Sequence, residues 1–444
     1  MKYGEDRIVE AIYDSDGIKK GNPFLEAMPE MLTREELFEQ IKGVPVLPSD
    51  VNMRMPMERR NMVPMLSEFF MPMDYMYRLY DCAYRAMKQT YMTMTTKNSI
   101  AQLNAMFACF NGDGPRLNFA MQCECGAILG VPGIGKTSSF KRCMATMPQV
   151  IAHTSYFGEP FFNKQITYLF TECPSDCSIK ALAWNIANAI DNAIGSNYVL
   201  QITNTKMAST GAAALFVKQL CINHHVGVLI IDEIQNVILT ARRAHQTSRL
   251  IKFLVELMND TATSIYLIGT MEAEEMFLQE EHLKRRTRGA RLLPMKYDAI
   301  FRNFLETLWS IQFTKKKTPL TEKISGLLFD CSGGVPAYII KIYQETQIQA
   351  ILSNEECITE PLIRNTIKLM ALEPPKVYTN GVSISDFSIA EEALDEITIV
   401  KNKRGRKAER RDELDILELA RCYPSEQGLI EQLQSHGMLE DCRC

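Results

Sequence analysis

The chain lacks the marks of a secreted, metal-stapled or membrane-spanning protein. Its 13 cysteines are an odd number and include no C-x-x-C pair. The closest pairs, Cys123 with Cys125 and Cys442 with Cys444, have neither zinc nor redox spacing. Reduced, mostly packed thiols in a cytosol are expected instead. No apolar stretch approaches the ~20 residues that a bilayer crossing needs. The N-terminal "MKYGEDRIVE" carries acids and no apolar h-region, so no secretion signal is expected. Charge of one sign is missing too: the formal net charge is -4 with 23% charged residues. That excludes a global nucleic-acid signature and leaves only local basic patches for such binding. Internal repeats are absent. What remains is an ordinary globular composition, 46% apolar over 444 residues, long enough for two to three domains.

The pattern along the chain changes three times. Residues 1–95 read as an irregular, proline-punctuated arm that becomes helical. Between Met53 and Met94 it holds 11 of the 25 methionines. Met73, Tyr77, Tyr80, Tyr84 and Met87 fall at helical spacing, either as a helix face packed on a core or as an adaptable surface for a partner. From 96 to 298, short apolar runs alternate with longer amphipathic segments. The runs are "GAIL" (126–129), "ITYLF" (166–170), "VGVLII" (226–231), "SIYLIG" (264–269) and "RLLPMKY" (291–297). Continuous rather than alternating runs suit strands buried on both faces of a parallel sheet. Residues 299–372 read as a small all-helical domain. Residues 373–444 turn polar and linker-like, with a basic run, "KNKRGRKAERR" (401–411), that could touch DNA or an acidic protein surface.

"GVPGIGKTSS" (130–139) sits between the first run and a helix, and fits G-x-x-x-x-G-K-[ST] at Gly130, Gly135, Lys136 and Thr137. Glycines let the backbone wrap a phosphate with successive N–H groups pointing at its oxygens, so Gly130, Val131, Pro132, Gly133, Ile134, Gly135, Lys136, Thr137 and Ser138 form the expected cradle. The helix starting near Lys136 adds the positive end of its dipole. Lys136 is placed to neutralise the β- and γ-phosphates of ATP, and the Thr137 hydroxyl to ligate Mg2+. "VGVLIIDEIQN" puts Asp232 and Glu233 directly after a strand, 96 residues beyond Lys136. An acid at that end of a parallel strand faces the ligand crevice. Asp232 can hold Mg2+ through its waters, and Glu233 can activate the attacking water. "SIYLIGT" ends a further strand in Thr270, whose polar group could sense the γ-phosphate or hold the water.

Two basic stretches have weaker assignments. "LKRRTRGAR" (283–291) packs five basic residues, among which Arg285, Arg286 and Arg288 are candidates for stabilising a phosphoryl-transfer transition state across a subunit boundary. A solvated helix end or DNA contact competes with that reading. "TARRAHQTSRLIKF" (240–253) could line a pore and meet DNA phosphates through Arg242, Arg243 and Arg249.

This order of phosphate loop, Asp-Glu strand, polar sensor strand and helical lid resembles the AAA+ ATPases. Over roughly residues 8–345 it resembles the TnsC family, ATP-dependent target-site regulators of cut-and-paste bacterial transposons, with TniB and MuB more distant. Besides the ATPase motifs, "GNPFLEAMP" (21–29), "MPQVIAH" (147–153), "AIGSNY" (193–198) and "LIGTMEA" (267–273) carry the likeness. The resemblance implies an α/β AAA+ P-loop NTPase with a parallel five-stranded sheet, a small helical lid after it and a helical or irregular arm before it. It implies a cytoplasmic bacterial protein that assembles with ATP into rings or short filaments on the duplex DNA backbone. On one side such a protein receives a target-selection protein and on the other it recruits transposase subunits, with hydrolysis resetting the assembly. The lid departs from many AAA+ proteins: "SGGVPAYIIKIY" (332–343) has Pro336 where an arginine often follows the glycine. Two other functions share the ATPase core. One is a replication initiator or helicase loader, although no helix-turn-helix follows the lid. The other is a nucleotide-gated protein scaffold without DNA, which the net acidity favours.

Overall fold

The computed structural model describes residues 8–14, 21–111, 123–176, 178–204, 209–236, 247–274, 287–371 and 385–388. Nine strands fall into two sheets among them. Strand β1 (Ile8–Glu10) pairs parallel with β3 (Val150–Tyr156), which forms an antiparallel hairpin with β4 (Glu159–Ile166). The central sheet contains β2 (Cys125–Gly130), β5 (Tyr168–Glu172), β6 (Val228–Asp232), β7 (Ser264–Gly269), β8 (Thr287–Leu292) and β9 (Ser385–Ser388). Its order is β5-β6-β7-β2-β8-β9. The first five of these are parallel, as expected from their unbroken apolar runs, and β9 closes the edge antiparallel to β8.

Two strands lie elsewhere than the apolar runs suggested, and a small sheet was not anticipated. The run at 166–170 becomes a strand at 168–172 because Ile166 is already paired with Val150 in the hairpin. Thr167 turns the chain there, its hydroxyl donating to Pro148 O at 2.6 Å. The last parallel strand occupies Thr287–Leu292, not 291–297. Pro294 has no N–H for the ladder, so pairing cannot continue through it. The β1-β3-β4 sheet has partly exposed strands, without the continuous apolar runs that announced the central sheet.

Helices cover both faces of the central sheet. On one face, Ile179–Ile194, Thr210–Asn223 and Thr247–Thr261 bury Leu182, Ile186, Ile190, Val217, Leu254 and Leu257 against Leu129, Leu229, Ile231 and Leu267. On the other lies the tyrosine- and methionine-rich helix Asp74–Thr93, which buries Tyr75, Met76, Leu79, Tyr80, Tyr84, Met87 and Tyr91. This stripe joins Ile128, Val228, Ile230 and Ile268 in one core, so it is a packing face. The lid consists of Ala299–Trp309, Glu322–Ser332, Pro336–Leu352 and Glu360–Met370.

The lid core is not made by the lid sequence alone. Val51, Val63, Leu66 and Phe69, from the N-terminal arm, are buried among Phe301, Phe304, Leu308, Ile342 and Ile351. Arg59, 2% exposed, forms a two-point ion pair with Glu356 at 2.5 and 2.6 Å and donates to Phe313 O at 3.0 Å. The guanidinium holds the Glu356 carboxyl below its usual range. The arm enters and leaves this region through an antiparallel bridge between Gly43 and Phe70.

Two of the family-like strings are explained by internal packing. In "NPFLEAMP", the Asn22 side chain accepts from the N–H groups of Phe24 and Leu25 and donates to Tyr91 O at 3.0 Å. Phe24 stacks on His225 with ring centroids 3.7 Å apart. Glu26, 1% exposed, accepts from Gly21 N and from the Tyr156 hydroxyl at 2.7 and 2.8 Å. In "AIGSNY", Gly195 takes the left-handed conformation that closes its helix. Asp191 then accepts from Ser196 Oγ, Tyr198 N and Val199 N, fixing the corner.

Candidate nucleotide-binding site

The C-terminal edge of the central sheet gathers the residues that the sequence singled out. The loop leaving β2 is pinned by two apolar side chains, Val131 and Ile134, both buried in the core beneath the sheet. Between them Pro132 and Gly133 are exposed. Gly133 and Gly135 have φ of 80° and 100°, where an L side chain would be strained, so the turn needs glycine. The helix Lys136–Met144 then begins with Gly135 as its N-cap and no side-chain cap bond. Its first amides are therefore unclaimed by a capping side chain and suit an anion. Ser138 is exposed, whereas Ser139 is buried and shares a 2.8 Å hydrogen bond with the Tyr75 hydroxyl.

The charged groups here are satisfied by one another. Lys136 Nζ folds back over its own loop, donating to Gly130 O at 2.8 Å and Val131 O at 3.2 Å. Burial lowers the Lys136 pKa from its ordinary value, and the carboxylates of Asp232 and Glu233 partly oppose that. Thr137 Oγ1 donates to Asp232 Oδ2 at 2.6 Å, joining the phosphate loop to the end of β6. The other Asp232 oxygen accepts from the backbone N–H of Glu233 at 2.9 Å. Glu233 is exposed and has φ of 58°, an uncommon conformation for a residue with a side chain.

The turn after the acid pair is stitched to both neighbouring strands. Ile234 N donates to Ile268 O of β7 at 3.0 Å. Asn236 Nδ2 donates to Cys173 O beyond β5 at 3.0 Å. Gln235 Oε1 accepts from Thr270 N at 3.2 Å, while its Nε2 donates to Glu233 Oε2. Gln235 and Asn236 were missed in the sequence. They follow the acid pair as ordinary polar residues, and only the fold reveals which strand ends they reach. Thr270 reaches this network through its backbone N–H; its hydroxyl donates to Glu272 Oε2 at 2.9 Å.

The lid abuts the loop around Gly133, beside Val335, Ala337 and Tyr338. Ala337 N, in the first turn of the helix that starts at Pro336, donates to Gly133 O at 3.3 Å. Other proposed site residues are not brought together here. Arg288 lies within β8, opposite Gly126. Arg249 is exposed on the helix Thr247–Thr261. Arg242, Arg243, Arg285 and Arg286 lie outside the described residues.

A five-stranded parallel sheet with a glycine loop after one strand and an acid pair after another defines a P-loop nucleotide-binding fold of the AAA+ type. Residues 120–277 match the family model of the AAA domain. Similar solved structures include the Holliday junction branch migration motor RuvB of Thermotoga maritima, 12% identical, covering 78% of this chain and 89% of that one with a TM-score of 0.33. The ORC2 protein of Aeropyrum pernix, in ADPNP and ADP complexes, is 14% identical over 78% of this chain and 76% of its own, with a TM-score of 0.37. The ORC1 protein of the same organism, in complex with DNA, is 15% identical over 76% and 83%, with a TM-score of 0.39. No curated protein matches the chain. Among the described residues, no helix is long and apolar enough to cross a membrane.

Proposed function

We propose that the chain is an Mg2+-dependent ATPase that assembles on duplex DNA and, as the resemblance to the TnsC family implies, links a target-selection protein to a transposase. The observation that supports it best is the hydrogen bond from Thr137 to Asp232 at the rim of the glycine turn. A hydroxyl and a carboxylate held together beside a phosphate cradle suit a hard cation, which takes oxygen ligands. Among the described residues no group of three or more His, Cys, Asp or Glu is placed to hold a metal, so phosphate oxygens and water would complete the ligand set. Thr137 would bind Mg2+ directly and Asp232 through water, and the ion would neutralise charge on the phosphate oxygens.

The chain's own groups do the rest. Lys136 exchanges its two loop carbonyls for the β- and γ-phosphates. The loop amides and the first turn of the Lys136–Met144 helix hold the same anion. Glu233 takes a proton from a water whose oxygen bonds to the γ-phosphorus as the bond to the β-phosphate oxygen breaks, leaving ADP and inorganic phosphate. Arg285, Arg286 or Arg288 of a neighbouring copy would balance the developing charge. Arg242, Arg243 and Arg249 would meet the DNA backbone. In this reading residues 1–95 are the arm and partner-docking region, 96–298 the nucleotide-binding domain, 299–372 the lid and 373–444 the tail.

Sedimentation of the full chain with duplex DNA and a slowly hydrolysed ATP analogue tests the assembly. ATP-dependent complexes that dissolve as salt rises are expected, because phosphate contacts are strongly salt-dependent. A monomer under these conditions would overturn the reading. Assembly without retention of a transposase would favour the replication-initiator alternative. Glu233→Gln should keep ATP binding, stall turnover and leave the assembly locked. Wild-type turnover in that variant would remove Glu233 from its role.

A further inference from the structure

We propose that Gln235 is the positioning residue for the Glu233 carboxylate and ties it to the backbone at the end of β7. The inference rests on Glu233 being the base, as proposed above. The amide of Gln235 lies between two groups with opposite requirements. Thr270 offers a backbone N–H and can face only the amide oxygen, which it does at 3.2 Å. That fixes the orientation of the amide, so Nε2–H must point to Glu233, where it donates to Oε2. A carboxamide provides an acceptor and a donor on one rigid plane, as these two partners require.

The surroundings are built around this side chain. A Cβ on Gly269 would stand 2.9 Å from Gln235 Oε1 and 2.7 Å from Ile234 Cγ2, so the strand end is glycine where the amide and its neighbour press against it. Glu233 itself is exposed, with a left-handed backbone. An exposed carboxylate on such a turn has no packing to choose its rotamer. The Gln235 bond supplies that choice by engaging one oxygen. Among the described residues no hydrogen-bond partner reaches the other oxygen, Oε1, which is left to accept the proton of a water. A base oriented by a third group that does not itself react is a recurrent arrangement in activated nucleophile sites. Here the third group also carries position from one strand to another: a shift of Thr270 moves the amide, and the amide moves the base.

The test is steady-state ATP turnover by the full chain, together with titration by a fluorescent ATP analogue. Gln235→Ala should lower kcat about 10- to 100-fold, a part of the roughly 100- to 10,000-fold that a general base contributes, with KM and analogue affinity unchanged. Gln235→Glu removes the donor and sets two carboxylates face to face. It should be slower than Gln235→Ala. In a Glu233→Gln background, Gln235→Ala should cost nothing further, because the group it positions no longer acts. Wild-type or raised kcat in Gln235→Ala overturns the proposal. So does an additive loss in the double variant, or a loss matched by equal weakening of nucleotide affinity. If Glu233→Gln alone turns over normally, it is the reading of the base that fails.

Discussion

The nucleotide crevice and the buried cluster around Phe24 are both built from unusual strings, and they differ in how their polar groups are satisfied. In the crevice, Lys136, Thr137, Asp232 and Glu233 bond to one another or to their own loop, at a partly open rim. Those bonds can be exchanged for a ligand's. In the cluster, His153 Nδ1 accepts from the Tyr13 hydroxyl at 2.8 Å and its Nε2 meets Gln165 Oε1 at 2.9 Å. Gln165 in turn donates to Phe24 O at 3.0 Å, and every member but Tyr13 is buried. No ligand could enter without dismantling the packing. A distinctive string therefore marks a constraint, and the fold decides whether that constraint is chemical or structural.

Variants should separate the two regions cleanly. The largest effect is expected from Lys136→Ala, which should abolish measurable ATP binding while leaving the thermal midpoint unchanged or slightly raised, since a partly buried ammonium is removed. Undiminished affinity in a nucleotide titration would contradict the loop assignment. Phe24→Ala should do the reverse. It should cost about 3–5 kcal/mol in urea unfolding with unaltered nucleotide affinity in the folded fraction. Loss of affinity at full stability would join the cluster to the crevice and break the contrast.

Acid should act on the cluster next. Burial holds His225 down to about 3 and also lowers His153 and His224 from their ordinary values. An unfolded chain takes up these protons near pH 6.5, and the folded chain refuses them. Stability is thus full above pH 6.5 and declines as pH falls towards 3. His225→Phe keeps a ring against Phe24 and should flatten that decline in urea titrations at pH 6.5 to 4. An unchanged slope would place the acid sensitivity elsewhere. The smallest effect belongs to Thr270→Ala. Its hydroxyl is engaged by Glu272 and its backbone N–H survives the substitution. Turnover within about threefold of wild type is expected, under 1 kcal/mol of barrier. A loss of tenfold or more would support the hydroxyl as a phosphate sensor.

The crevice was largely legible because its chemistry demands contiguous residues: a glycine turn with Lys136 and Thr137 behind it, and acids directly after an apolar strand. The parallel sheet was legible for a related reason, since strands buried on both faces are apolar throughout. Legibility failed where a residue's role depends on what folds against it. Gln235 looks like any polar residue after a strand until Thr270 is placed beside it. Strand β8 hid in a basic stretch, where Arg291 is neutralised by Glu274. "NPFLEAMP" and "AIGSNY" pointed to a family, but their caps and corners are visible only in three dimensions. Val51, Val63, Leu66 and Phe69 gave no sign that they complete a core formed mainly by helices more than 230 residues later.

That last arrangement has a mechanical consequence. The polypeptide passes between sheet layer and lid four times, near residues 42, 72 and 294 and again between the last lid helix and β9, and the first two passages are zipped together by the Gly43–Phe70 bridge. Arg142, from the helix that opens the phosphate cradle, lies over the Phe70 ring at 4.3 Å and donates to Ile41 O at 3.1 Å. A door hung on several pins, one of them bolted to the latch plate, cannot swing without tugging the plate. Any rotation of the lid must strain this joint, and any tightening of the cradle must pull on the lid.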